Sequence, residues 1–192
     1  MAELAAVPPT GRLVLRGMEC LAFGLGLPAE PCRAEGDWAL WLGPDEWLLL
    51  GAVDALRRRV HDAALGRPFA LVDVSHRQVG FVLRGADADA LLNGAVPLDL
   101  SVAAFPPGMC TRTLFEKAEI VLWRQGAATW RIEVQRSFAP YVQSLLIAIA
   151  RADCIALLGL ESLSRSSIPR TMGMGHRQED GSSAGNSEGQ HS

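Results

Sequence analysis

The sequence is poor in the features that most often announce a function. Of its 18 Lys and Arg only Lys117 is a lysine, the four histidines are scattered, and the formal charge is -3 at pH 7. No net basic field is available to offset a phosphate backbone, which excludes nucleic acid as the expected partner. The four cysteines, Cys20, Cys32, Cys110 and Cys154, are widely spaced, with no C-x-x-C and no histidine at ligand spacing. That excludes a zinc site or a disulfide framework. The longest apolar run, Leu145 to Ala150, falls far short of the roughly 18 residues that span a bilayer. The first ten residues carry Glu3 and Pro8-Pro9 and lack a basic stretch followed by an apolar one, so no secretory signal and a cytoplasmic location are expected.

What is present is apolar material. Hydrophobic residues make up 49% and charged residues 20% of 192 residues, enough to build a core in one domain or two small ones. Residues 163–192 contain seven Ser and five Gly and are expected to form a disordered tail, because such a segment buries too little to offset its ordering entropy. Met172, Met174 and His176 within it make a poor metal site. The expected folded domain runs over residues 10–162.

Within it one order of signals occurs twice. Val14-Leu15-Arg16-Gly17 returns as Val82-Leu83-Arg84-Gly85, each a strand entering a turn. A short helix is expected after each, over Met18 to Leu25 and over Ala86 to Asn93, the latter with Gly94 at its C-terminus. Hairpins follow: Trp38 to Leu42 with Trp47 to Leu50, and Glu119 to Arg124 with Thr129 to Gln135. Each copy closes with an amphipathic helix, one with a stripe of Val53, Leu56, Val60 and Ala64, the other with Phe138, Tyr141, Val142, Leu145 and Ile149, capped by Ser137. Leu71 to Ser75 adds a strand between the copies. The expected fold is α+β, two repeated β-α-β-β-α units (residues 11–66 and 70–151) with antiparallel sheets and helices on one face.

Strand period assigns the surfaces. Trp130, Ile132 and Val134 alternate with Thr129, Arg131, Glu133 and Gln135, which predicts one wet face. The first hairpin has little that is polar on either side, so it is covered twice by its own chain or leaves a face for a partner.

Catalytic patterns fail on geometry. Asp73, Ser75 and His76 are neighbours in an extended segment, whereas a triad converges from separate elements. Gly24-Leu25-Gly26 lacks the rest of a dinucleotide fingerprint. Glu116 and Glu119 flank the only lysine and read as solvated charge. Cys110 needs a neighbouring histidine to be a nucleophile, and only His61 and His76 lie in the folded body. Arg57-Arg58-Arg59 reads as a solvated helix face. No catalytic, cofactor-binding or metal-binding residue is assigned. Trp41, Trp47, Arg136, Phe138 and Tyr141 are the candidates for contact with a partner, since aromatic residues and Arg are enriched where proteins meet.

Several strings together resemble a known family: Trp41-Leu42-Gly43-Pro44-Asp45-Glu46-Trp47-Leu48-Leu49, Val72-Asp73-Val74-Ser75, Pro97-Leu98-Asp99-Leu100, Phe105-Pro106-Pro107-Gly108, Thr113-Leu114 and Arg136-Ser137-Phe138-Ala139. In order and interval, over about Gly11 to Ala150, they resemble the gamma subunit of heterotetrameric sarcosine oxidase. The resemblance implies membership of a complex that demethylates sarcosine to glycine, releases hydrogen peroxide and passes the one-carbon unit to tetrahydrofolate, giving 5,10-methylenetetrahydrofolate. It implies FAD, FMN and NAD on alpha and beta subunits and zinc on delta, none on this chain, and packing against the folate-binding region of alpha. It also implies a fold similar to part of the aminomethyltransferase (T-protein) fold. The alternative is a free-standing folate-dependent one-carbon enzyme. For that reading Glu119 is the one acid left where the T-protein family has an Asp-Asp pair.

Overall fold

The computed structural model describes residues 1–159. Residue 162, the expected domain end, the Ser/Gly-rich tail and the Met172, Met174 and His176 tract lie outside the described residues. Chain order is β1 (Ala2–Ala6), β2 (Gly11–Gly17), α1 (Glu19–Leu25), β3 (Ala34–Glu35), β4 (Ala39–Gly43), β5 (Glu46–Gly51), α2 (Val53–Ala64) and β6 (Phe69–Asp73). Then come β7 (Gln78–Arg84), α3 (Ala88–Asn93), β8 (Cys110–Phe115), β9 (Ala118–Gly126), β10 (Thr129–Gln135), α4 (Ala139–Ala152) and β11 (Leu157–Leu158).

Two sheets result, one in the order β3-β4-β5-β2-β6 and the other β11-β1-β7-β10-β9-β8. The shared pattern of β3-β4-β5-β2 and β8-β9-β10-β7 places Leu15 opposite Trp47 in one sheet and Leu83 opposite Trp130 in the other. Each half therefore has one strand more than the expected β-α-β-β-α order, namely β3 and β8. The strand that flanks each half is also exchanged. Strand β6, from between the halves, pairs with β2, while β1 from the chain start pairs with β7. The fold thus includes β1, ahead of the expected boundary at residue 10, with Ala2 and Leu4 buried in the core.

Helices α1 and α2 cover one sheet through Leu21, Leu25, Leu56 and Val60, packed on Leu13, Leu15 and Leu49. Helices α3 and α4 cover the other through Leu91, Leu92, Val142 and Leu146, packed on Leu83, Ile120 and Ile132. The remaining sheet faces meet each other: Leu40, Leu48 and Leu50 pack with Val74, Cys110, Val121 and Trp123. The layers run helix, sheet, sheet, helix. Helices do lie on one face of each sheet, but the other face is interior, so the first hairpin is covered twice by its own chain. Near the rim, β3 and β8 are tied by the Cys110 amide donating to the Cys32 carbonyl at 2.9 Å and by an isolated bridge between Arg33 and Met109.

Two local expectations change. Ser137 caps nothing: it lies in a 3-10 turn (Arg136–Phe138), and α4 starts at Ala139 with no side-chain cap. Gly94 follows α3 but has a right-handed φ of -66°. Its lack of a side chain serves close approach, since a Cβ there would lie 2.8 Å from Ile149 Cγ2 of α4.

Candidate partner interface

The sequence candidates separate by burial. Trp47 is core: the residue is 2% exposed, and its Nε1 donates to the Pro28 carbonyl at 3.0 Å. It offers no face to a partner. Trp41 pairs with Trp47 across the hairpin and packs half-buried beneath α1 and α2. It does point away from Leu40 and Leu42, which face the other sheet, but it shares its cluster with Trp38, which precedes β4 and escapes the strand alternation. Arg136, Phe138 and Tyr141 are exposed at the entrance to α4. The α4 face that is buried consists of Ala139, Val142, Leu146 and Ala150, with Leu145 and Ile149 at its margin. Phe138 and Tyr141 therefore leave the expected stripe and stand outside the core, 40% and 37% exposed. Their spacing of three residues sets them on neighbouring positions at one end of the helix.

The residues that suggested chemistry have structural duties. The Ser75 amide donates to Asp73 Oδ1 at 2.9 Å, and the bonds from Ser75 hold the Asp73 carboxyl below its usual range. Ser75 Oγ accepts from the Arg12 amide at 2.9 Å, fastening this turn to β2, while His76 is exposed. Cys110 is buried against the Arg33 carbonyl, and burial pushes its thiol up to about 12, the opposite of an activated nucleophile. Its nearest sequence candidates for a base lie elsewhere: His61 stacks edge-on to Phe69. Glu119 is mostly exposed, 4.0 Å from Arg112. Two members of the arginine run are engaged, contrary to a wholly solvated face. Arg57 pairs with Asp73 at 3.5 Å, and Arg59 donates to the Leu25 carbonyl at 3.0 Å while its guanidinium lies 3.9 Å from the Trp38 ring centre. No cluster of metal-ligating side chains occurs among the described residues.

Three ion networks escaped the sequence reading. Glu46, from the Gly-Pro-Asp-Glu-Trp turn, accepts from Arg16 at 2.6 Å and from Arg112 at 2.7 Å, joining the two sheets. Burial opposes its ionisation, but the guanidiniums of Arg112 and Arg16 outweigh that and hold the carboxyl below its ordinary value. Glu133 accepts from Arg12 at 2.6 Å and from Arg131 at 2.7 Å, all three residues being buried. This corrects the wet face expected of β10, for Arg131 and Glu133 point into the space between the sheets. Arg124 is fully buried; it donates to the carbonyls of Leu100 at 2.8 Å and Phe105 at 3.1 Å and to Asp89 at 2.9 Å. Trp130 Nε1 donates to the other Asp89 oxygen at 2.6 Å. The Pro-Leu-Asp-Leu and Phe-Pro-Pro-Gly strings are thus the loop that closes round one guanidinium.

Residues 17–152 match the model of the "Sarcosine oxidase, gamma subunit family". The chain belongs to that family.

Relatives bear this out over most of the domain. The chain is 33% identical over 150 residues to the sarcosine oxidase subunit gamma of Corynebacterium sp. (strain U-96), covering 75% of this chain and 71% of that one. The Arthrobacter sp. subunit gamma is 30% identical over 131 residues, 66% of this chain and 64% of that one. Among solved structures, a chain of the heterotetrameric sarcosine oxidase from Corynebacterium sp. U-96 in complex with pyrrole 2-carboxylate superposes with a TM-score of 0.73 at 30% identity, covering 81% of this chain and 86% of that one. The glycine cleavage system aminomethyltransferase T from Bartonella henselae superposes with a TM-score of 0.58 at 15% identity, covering 83% of this chain and 48% of that one. That second likeness is one of fold alone. This gamma-family chain is accordingly an α+β subunit whose described residues include no helix long and apolar enough to cross a membrane.

Proposed function

We propose that the chain is the non-catalytic gamma subunit of a heterotetrameric sarcosine oxidase, packed chiefly against the folate-binding region of an alpha subunit, with beta and delta completing the complex. The observation that carries this reading is the match, over four-fifths of the chain, to a chain of a heterotetrameric sarcosine oxidase. The complex would demethylate sarcosine oxidatively to glycine, forming hydrogen peroxide and 5,10-methylenetetrahydrofolate, with FAD, FMN, NAD and zinc held by the other subunits. Supporting it, side chains that resembled a catalytic set serve the fold instead: Ser75 and Asp73 build a turn, and Cys110 is held as the thiol. The exposed Arg136, Phe138 and Tyr141 supply a contact surface of the composition that partners select.

A second reading, a free-standing folate-dependent enzyme, is favoured by the likeness of fold to an aminomethyltransferase and by the exposed Glu119 carboxylate. Titration of the isolated full chain with tetrahydrofolate separates the two. The subunit reading expects no saturable binding and no loss of activity from a reconstituted complex carrying Glu119→Gln. Saturable binding that Glu119→Gln abolishes, with a rate loss of about 10²–10⁴, supports the enzyme instead.

A further inference from the structure

The space between the two sheets carries more positive than negative charge. Arg12 and Arg131 are both buried there, at 3% and 9% exposure, and share the single carboxylate of Glu133, itself 1% exposed. One carboxylate cannot balance two guanidiniums, and an unpaired charge in a low-dielectric interior is costly unless an anion reaches it. The sharing is also uneven. Arg131 hydrogen-bonds Glu133 Oε1 through Nε at 2.7 Å, whereas its Nη2, in ion-pair contact with the same oxygen at 2.7 Å, is buried without a hydrogen bond, and Nη1 makes none among the described residues.

Where the sheets part, Arg131 lines a cleft of about 450 Å³. Register brings a second guanidinium to it: Arg131 is opposite Val82 and Thr129 is opposite Arg84, so Arg84 and Arg131 share a face at diagonal positions. The Arg84 side chain has no hydrogen bond or ion pair among the described residues, and Glu3, in register across β1, does not pair with it. Gln125 joins them as the extra residue where β9 and β10 shift register at Thr129 and Trp130. Bulges commonly re-aim a side chain in this way. The remaining wall is apolar, with Val7 and Val82, and Asp37 stands among the lining residues.

We propose that this cleft is a binding site for a small organic carboxylate: the anion meets Arg84 and Arg131, Gln125 donates its amide, and the carbon body lies on Val7 and Val82. Two forked guanidiniums match the planar, two-oxygen geometry of a carboxylate. The apolar wall favours an anion with a carbon body over a bare inorganic one, and Asp37 disfavours a second negative charge.

The test is heteronuclear NMR of the full chain titrated with butyrate, with butyramide as the uncharged isostere and inorganic phosphate as the oxyanion without a carbon body. The expected result is saturable shifts at Val7, Val82, Arg84 and Gln125 with butyrate, weaker binding of phosphate, and none of butyramide. Arg84→Gln, at an exposed position that leaves the buried trio intact, should weaken butyrate at least about tenfold with the rest of the spectrum unchanged. Absence of saturation with butyrate, equal response to butyramide, phosphate binding as tight as butyrate, or indifference to Arg84→Gln would each overturn the assignment.

Discussion

The Arg12 guanidinium donates through Nε to the Glu133 carboxylate at 2.6 Å, joining two residues 121 positions apart and the two sheets of the fold. Both are buried, so neither charge is eased by solvent. Removing the anion should strand two guanidiniums in the interior. Glu133→Gln is expected to cost about 3–5 kcal/mol in equilibrium urea denaturation. The apolar double replacement Arg12→Met with Glu133→Leu should cost less than Glu133→Gln alone, since it strands one buried guanidinium, that of Arg131, instead of two.

Gly80 is the floor of the same cluster. A Cβ there would lie 2.8 Å from Glu133 Oε1 and 3.0 Å from both Arg12 Nη2 and Val7 Cγ2. Gly80→Ala should therefore destabilise by overpacking, by about 1–3 kcal/mol, although alanine suits a strand better than glycine. A variant as stable as the parent would show that the trio can shift aside.

Acid should act through Glu46. Its folded pKa lies below the unfolded value of 4.5, so its contribution is fully present above about pH 4.5 and is lost as pH falls through the folded value. Stability measured from pH 6 to pH 3 should fall less steeply in Glu46→Gln than in the parent, with the parent more stable at pH 6. Parallel curves would remove the Arg16–Glu46–Arg112 bridge from the account.

Thiol labelling distinguishes the exposed cysteines from the buried one. Cys20 and Cys154 are exposed and should react with a charged disulfide reagent within minutes at pH 8, whereas buried Cys110, its thiol held near 12, should react only on unfolding. Because the unfolded thiol ionises near 9.0, this residue also lowers stability as pH rises above that value. Rapid labelling of Cys110 in the native chain would contradict the packing between the sheets.

Much of this was legible from residue pattern. The hairpin over Trp38 to Leu50 and the stripe of α2 follow from period and turn chemistry, and the paired Val-Leu-Arg-Gly strings do mark β2 and β7. The rest depended on tertiary partners. Ala2 to Ala6 carries residues of good helix propensity and is a strand only because β7 and β11 flank it. Polar alternation in β10 meant an internal ionic face, since Arg12 of the other sheet supplies the partner that solvent would otherwise supply. Ala139 and Ala150 carry little signal in a hydrophobic stripe, yet they set the buried face of α4 and turn Phe138 and Tyr141 outward.

Outward-facing Phe138 and Tyr141 matter only if a partner covers them, which makes assembly the decisive observable. The measurement is coexpression of the affinity-tagged full chain with the alpha, beta and delta subunits, followed by mass determination of the purified particle and assay of sarcosine-dependent peroxide. The account predicts a stoichiometric particle holding all four chains, with activity there and none in this chain alone. It also predicts that Phe138→Ser combined with Arg136→Glu weakens copurification while leaving the circular dichroism of the isolated chain unchanged. A tagged chain that purifies alone while the other three assemble and oxidise sarcosine without it would contradict the account.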